Sequence, residues 1–292
     1  MPAQTGGVNP HRVWNDSTRI LTAAGVPSPQ VDAREILQAV LDQPPYMWPA
    51  TIPQASAERI QEMVAQRAKR VPLQHVLGKM WFMGLPLKAQ PGVFNVRPET
   101  EVLAQWAIES LTKLQGATPG KSGGSALHVL DMCTGSGALA IAISHAHPNA
   151  AVTAIEKSAV AAQAAKDNAD RLNLPVNVIE GDALAVNAQW AGRFDLVVSN
   201  PPYVPARELD PELDHDPAEA LWGGGEDGLD FIRSLLPIAY QYLKPGGRLG
   251  VEHDDTQGAK TVELARAAGF EAHTIPDLNQ RDRFLIATKP GA

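Results

Sequence analysis

The strongest constraint on the fold is an alternation that begins at Leu127. Short apolar runs of strand type (residues 127–132, 151–155, 176–179 and 194–199) are interleaved with helical spacing at 138–146 and 158–172. A helix at 229–243, stopped by Pro245-Gly246-Gly247, then leads to a strand at 248–252 and a helix at 256–268. Closing strands are expected at 270–275 and 283–287. Strands joined through helices return parallel, so the expected architecture is a doubly wound α/β sheet, which binds ligands at the carboxyl ends of its strands.

The N-terminal residues lack this pattern. Residues 11–71 read as helices. One stripe contains Trp14, Ile20 and Leu21, and a second contains Val31, Ile36, Leu37, Val40 and Leu41. Ser56 is the expected N-cap of a third helix, 57–69, with Ile60, Met63 and Val64 inward. Residues 73–97 are punctuated by Pro72, Gly78, Gly84, Pro86, Pro91, Gly92 and Pro98 and read as short strands, including a hairpin. A helix follows at 99–114, then a glycine-rich surface loop at 116–125. The expected division is a helical domain at 1–72, a β-hairpin linker at 73–98 and the α/β domain at 99–292.

Composition narrows the setting. The single cysteine, Cys133, excludes an intrachain disulfide and fits a reducing compartment. No apolar run approaches the ~20 residues of a membrane helix, and residues 1–10 lack a signal-peptide core. A cytoplasmic protein with no membrane partner is expected. Residues 125–292 hold 13 basic and 23 acidic side chains, a balance that opposes bulk attraction of a nucleic-acid backbone. Histidine and cysteine positions show no metal-ligand spacing, so no metal is expected.

The first strand of the alternation runs into Asp131-Met132-Cys133-Thr134-Gly135-Ser136-Gly137. Gly135 and Gly137 are read as positions where a ligand can approach the backbone. Glu156 ends the second strand, 19 residues past Gly137, where a carboxylate can accept both hydroxyls of a ribose. The third strand ends in Gly181-Asp182-Ala183, which places an acid near an adenine amino group. These features suit either NAD or S-adenosylmethionine. Asp131, at the end of an apolar strand, is expected to be partly buried, either bracing the loop or holding a cofactor ammonium.

The fourth strand runs into Asn200-Pro201-Pro202-Tyr203. The prolines fix φ and remove two backbone donors. The Asn200 side-chain oxygen and the Pro201 carbonyl remain as acceptors beside the flat Tyr203 ring, a set suited to a planar –NH2 group. An amide nitrogen is a poor nucleophile because its lone pair is delocalised. Hydrogen bonds from its protons to fixed acceptors return electron density to nitrogen and aim it at a methyl donor. Hydride transfer has no use for such a cluster, which favours S-adenosylmethionine over NAD.

At this point the sequence resembles the HemK/PrmC family of release-factor glutamine methyltransferases. The likeness runs through Arg70-Val71-Pro72-Leu73-Gln74-His75-Val76-Leu77-Gly78 and Arg97-Pro98-Glu99-Thr100-Glu101. It continues through the glycine loop, Asn200-Pro201-Pro202-Tyr203, Gly224-Gly225-Glu226-Asp227-Gly228-Leu229 and Asp277-Leu278-x-x-Arg281-Asp282-Arg283.

The resemblance implies a Rossmann-like class I S-adenosylmethionine-dependent methyltransferase sheet. It also implies methyl transfer to the side-chain amide nitrogen of the Gly-Gly-Gln glutamine in bacterial peptide chain release factors, with S-adenosylhomocysteine as product. The implied enzyme is a monomer that serves translation termination. Its cofactor would meet Asp131, Cys133, Thr134, Gly135, Ser136, Gly137, Glu156, Asp182, Ala183 and Asn200. Asn200, Pro201, Pro202 and Tyr203 would hold the glutamine, with Asn200, Pro201 and Tyr203 catalytic. Glu156 stands where the family often has Asp, and Ala183 where some members carry an aromatic. Cys133 stands where the family often has Gly, so its backbone is expected to fit without a glycine-only conformation.

The alternatives are a glutamine methyltransferase of a large-subunit ribosomal protein, an adenine N6 methyltransferase that flips its base, and an inactive binding module of this fold. Arg97 and Glu99 are read as bridging the linker to the catalytic domain or touching substrate, with the bridge favoured, and residues 208–225 as a solvated loop or a lid.

Overall fold

The computed structural model describes residues 7–116, 126–205 and 215–291. The surface loop expected at 116–125 lies, apart from Gly116, outside the described residues, as do residues 208–214 of the acidic stretch. The chain forms two compact units. One runs through Met80 and includes Ala89–Pro91. The other takes Trp81–Lys88, Gly92 onward and the chain from Asp216.

The first unit is built from α1 (Pro10–Ala23), α2 (Pro29–Leu41), α3 (Gln54–Ala68) and a short α4 (Leu73–Leu77). Leu21, Ile36, Leu37, Ile60 and Val64 are fully buried between them. The inward face of α1 is carried by Val13 and Leu21, while Ile20 and Val31 of the expected stripes are about half exposed. Ser56 is not a cap. The fixed φ of Pro53 starts α3 three residues earlier, leaving Ser56 inside the helix. A buried ion pair, Arg67 Nε to Asp32 Oδ2 at 2.6 Å, ties α3 to α2. The helix α4, in a stretch expected to hold only strands and turns, is started by Pro72 and ended by Gly78 at φ +69°. The hairpin of β1 (Lys79–Phe82) and β2 (Leu85–Lys88) follows, turning at Met83-Gly84.

The second unit holds α5 (Thr100–Gly116) and a seven-stranded sheet. In chain order its remaining elements are β3 (His128–Met132), α6 (Ala138–Ala146), β4 (Ala151–Glu156), α7 (Ala159–Arg171), β5 (Val176–Glu180) and β6 (Phe194–Ser199). They continue with α8 (Ala218–Leu221), α9 (Asp230–Tyr242), β7 (Leu243–Glu252), α10 (Gly258–Ala267), β8 (Glu271–Pro276) and β9 (Asp282–Thr288). The strand order is β5-β4-β3-β6-β7-β9-β8, with β9 antiparallel to both of its neighbours. Pro245-Gly246-Gly247 does not precede β7 but forms a bulge within it. The register jumps from Phe194↔Leu243 to Leu196↔Arg248, and Gly246 takes φ +77°.

This order puts the topological switch between β3 and β6, where the crevice of an open α/β sheet forms. Register does the rest. Met132 pairs with Ser199, and Ser199 with Val251, so the chain leaves β3, β6 and β7 at one level. The glycine loop, Asn200 and Glu252 therefore start side by side.

Candidate active site

A cavity at this edge is lined by Cys133, Thr134, Gly135, Ser136, Glu156, Asp182, Ala183, Asn200 and Pro202 among the anticipated residues. Gly92, Phe94 and Val96 wall it from one side, and Pro217, Glu219 and Ala220 from another. Asp131, Gly137, Pro201 and Tyr203 are not in its lining.

Asp131 is wholly buried behind the loop. Its Oδ2 accepts from Thr134 Oγ1 at 2.5 Å and from Ala140 N at 3.1 Å, which braces the loop against α6. Among the described residues its Oδ1 has no hydrogen-bond partner, and burial pushes the carboxyl up to about 7. Gly137 does not make room for a ligand. It caps α6 at φ +86°, and a Cβ there would stand 3.1 Å from the Cβ of Ala165, so its missing side chain lets α6 pack on α7. Gly135 is the open position: at φ +56°, a Cβ there would meet nothing within 4 Å.

Cys133 adopts φ +63°, the left-handed region that favours glycine but that other residues can enter. The sharp exit from β3, with Thr134 N bonded to Ile155 O, imposes this turn at a cost of about 1–2 kcal/mol. Burial raises the Cys133 thiol well above its ordinary range, which keeps it protonated.

Glu156 is held rather than free. Oε2 accepts from Gly135 N at 2.8 Å and Oε1 from Ser158 N at 2.9 Å. Each oxygen keeps a lone pair for a further donor. Asp182 accepts from Leu184 N at 2.9 Å and Lys157 Nζ at 3.0 Å, contacts that lower its pKa.

Asn200 donates Nδ2 to Thr100 Oγ1 at 3.2 Å, leaving Oδ1 for another partner. Tyr203 donates its hydroxyl to Glu252 Oε1 at 2.8 Å. The backbone after the prolines is clamped by Gln257, whose Nε2 donates to Tyr203 O at 2.8 Å and Asp227 O at 2.7 Å. Gly223 and Gly228 pack backbone to backbone behind the same turn. A Cβ on Gly228 would lie 2.5 Å from Tyr203 O, and one on Gly223 would overlap the Gly228 carbonyl. Gly223 and Gly228 thus buttress this turn from behind.

Thr100, Glu252, Gln257, Gly223 and Gly228 escaped the sequence reading. The Gly-Gly-Glu-Asp-Gly run is a signal that could have pointed to close backbone approach, but its target was hidden in the fold. Arg97 pairs with the buried Asp216 at 2.5 Å and lies 5.1 Å from the Phe94 ring centre, fastening two cavity walls. His253 is buried. Its Nδ1 is 2.8 Å from Asp254 O, and burial lowers its pKa.

A parallel sheet with one antiparallel strand, β9, inserted next to its edge, a glycine loop after its central strand and an acid ending the neighbouring strand make this a class I S-adenosylmethionine-dependent methyltransferase fold. A methyltransferase from Pyrococcus furiosus has this fold, with a TM-score of 0.50 and 22% identity over 71% of this chain and 90% of that chain. The Methyltransferase small domain family matches residues 86–226, and the PrmC N-terminal domain matches residues 12–78. The release factor glutamine methyltransferase of Mycolicibacterium smegmatis is 40% identical over 94% of this chain and 95% of its own. A 4-amino-L-phenylalanine/4-methylamino-L-phenylalanine methyltransferase of Streptomyces pristinaespiralis is 38% identical over 79% of this chain and 77% of its own. The chain belongs to the release factor glutamine methyltransferase family.

Among the described residues, no helix is long and apolar enough to cross a membrane, and no group of three His, Cys, Asp or Glu is placed to hold a metal.

Proposed function

We propose that this chain methylates the side-chain amide nitrogen of the Gly-Gly-Gln glutamine in bacterial peptide chain release factors. The observation that carries the reading is Asn200. Its carboxamide is anchored through Nδ2, and its Oδ1 is left for a donor beside a cavity that fits S-adenosylmethionine. The fit rests on Gly135, which leaves open space over the strand end, and on Glu156, whose fixed oxygens retain lone pairs for ribose hydroxyls. Asp182 and Ala183 take the adenine end of the cavity, and Cys133 to Ser136 the methionine end. Asp131 serves through the loop that it braces. Bound there, S-adenosylmethionine supplies a methyl group on a positively charged sulfur.

The chain's own part is orientation. Asn200 Oδ1 and the Pro201 carbonyl accept the two hydrogens of the glutamine –NH2. This holds the nitrogen in one plane and raises its electron density. Pro202 and Tyr203 keep those acceptors rigid, so little reorganisation is needed when charge shifts. The helical unit, residues 1–72 in the sequence division, docks the folded substrate. The acidic α/β unit argues against a nucleic-acid requirement. The enzyme is read as a cytoplasmic monomer needing no metal.

Glu156→Ala is expected to weaken S-adenosylmethionine binding by about 1–3 kcal/mol, the loss of charge-assisted hydrogen bonds. Titration calorimetry checks this, and unchanged affinity removes Glu156 from the site.

The reading itself is tested by offering tritiated S-adenosylmethionine with an intact release factor, a Gly-Gly-Gln peptide, large-subunit ribosomal protein, 4-amino-L-phenylalanine and DNA. Methylation should appear on the release-factor glutamine by mass spectrometry. The intact factor should exceed the peptide in kcat/KM by roughly 100-fold, because contacts remote from the amide help orient it. Preferential labelling of any other acceptor overturns the proposal, and parity with the peptide removes docking by the helical unit.

A further inference from the structure

We infer that the turn between β8 and β9 is a docking element of the catalytic unit for the protein substrate, with Leu278 as the side chain that a bound release factor covers. The inference rests on the proposed delivery of a glutamine to Asn200 by a folded partner.

Topology brings this turn to the acceptor edge. β8 is antiparallel to β9 and β9 to β7, so β8 runs parallel to β6 and β7 and ends at the same edge of the sheet. Register sets the level. Ser199 pairs with Val251, so Asn200 leaves β6 level with Glu252. Glu252 pairs with Phe284, and Phe284 with Ile275. Leu278 lies three residues beyond that level. Neighbouring strands are about 4.8 Å apart, so the three spacings from β6 to β8 put the turn about 14 Å to the side of the tetrad. Side chains bridge the interval: Tyr203 donates to Glu252 at 2.8 Å, and Arg283, next to Phe284, donates Nε to Asp277 at 3.2 Å.

The turn is rigid. Asp277 N donates to Arg281 O at 2.8 Å, and Asp277 Oδ1 accepts from Asn279 N at 2.8 Å and Arg281 N at 3.0 Å. Asp277 is buried, whereas the Leu278 side chain takes no part in this frame and is 87% exposed. A single surface leucine needs no special cause. This one is presented by a braced turn at the edge where the acceptor must arrive, and a braced contact loses little freedom on binding.

Size decides the occupant. A specific protein–protein contact covers about 800 Å² on each partner, a patch of about 16 Å radius around the reacting group. A folded protein with its glutamine at Asn200 therefore covers the turn. An extended Gly-Gly-Gln tripeptide spans about 10 Å and stops short of it. Leu278 is then an apolar anchor, and Arg281, 59% exposed and 3.6 Å from Asp255, belongs to the polar rim. Such an anchor holds the partner equally before and during transfer, so its loss appears in KM rather than kcat.

The test is steady-state methylation of an intact release factor by the full chain, with saturating S-adenosylmethionine. Leu278→Asp should raise KM for the factor about 10-fold, with kcat within about twofold of wild type. Leu278→Met, which keeps an apolar side chain, should restore most of the loss. For the tripeptide, kcat/KM should not change. Val186→Asp is the comparison. Val186 is 59% exposed, but it precedes Asn187, whose N–H donates to the Tyr242 hydroxyl at 2.7 Å beside the start of β7, at the opposite edge of the sheet. It should leave KM unchanged.

An unaltered KM in Leu278→Asp overturns the inference, as does an equal rise in Val186→Asp, which would mark a general effect of added charge. A fall in kcat at constant KM also overturns it, because the turn would then act on the tetrad through Arg283 instead of holding the partner. If the wild type methylates no release factor, the functional reading falls and the turn loses its partner with it. The other outcomes leave that reading standing.

Discussion

Asn200→Ala is expected to lower single-turnover methylation of a release factor by ~100-fold or more, with cofactor affinity staying within about twofold of wild type. The asymmetry follows from the sheet. Asn200 leaves β6, whereas Gly135 lies in the loop after β3 and Glu156 ends β4, so removing the carboxamide strips an acceptor without moving the loop. Asn200→Asp separates two parts of the role. It retains an acceptor facing out, but an ionised side chain cannot donate to Thr100, so the contact at 3.2 Å must reverse, with the Thr100 hydroxyl donating and the carboxylate re-aimed to receive it. Asn200→Asp should therefore also be slow while still binding cofactor. Cofactor titration beside single-turnover methylation separates binding from transfer. Near wild-type rates in Asn200→Ala would reduce the tetrad to a rigid turn.

A comparably large effect is expected far from any reacting atom. Gly228→Ala places a methyl 2.5 Å from Tyr203 O and 2.7 Å from Pro205 N, at a backbone φ of +72°. Backbone strain and overpacking cost about 1–3 kcal/mol each, and the side that yields is the turn carrying Asn200 and Tyr203. Gly223→Ala collides with the Gly228 carbonyl and approaches Tyr203 Cα at 2.8 Å. Both variants should lose transfer by ~100-fold or more, because an ångström of misplacement at the acceptor suffices for that. Their melting temperatures should also fall. The cofactor loop is not touched, so calorimetry should still detect S-adenosylmethionine binding in whatever fraction folds. Gly246→Ala is the comparison: its φ is also positive, at +77°, but a Cβ there meets nothing within 4 Å. It should lower stability without the loss of transfer. Equal transfer rates in Gly228→Ala and Gly246→Ala would show that the buttress does not position the turn.

Element type was legible because hydrophobic period reports it directly. The strand 194–199 and the helix 138–146 stand where their spacing put them. The boundaries that moved did so for local backbone reasons, as where Pro53 starts α3 ahead of Ser56 and glycine conformations let β7 pass through Pro245-Gly246-Gly247. The glycine loop, Glu156 and the Asn200–Tyr203 tetrad could be placed at the sheet edge from sequence because each ends a strand or directly follows one.

By itself, then, the sequence determined the strand–helix order, the place of the glycine loop and tetrad at carboxyl ends of strands, and the family. It could not divide labour within those motifs. Asp131 and Gly137 lie in the motif but serve packing and bracing, a distinction set by what stands behind them. Nor could it join Thr100, Asn200, Tyr203, Glu252 and Gln257, which span more than 150 residues of chain. Their meeting depends on strand register and on the approach of α5 to the sheet. These are outcomes of core packing that no local period encodes, because hydrogen-bond partners distant in sequence carry no spacing signal of their own.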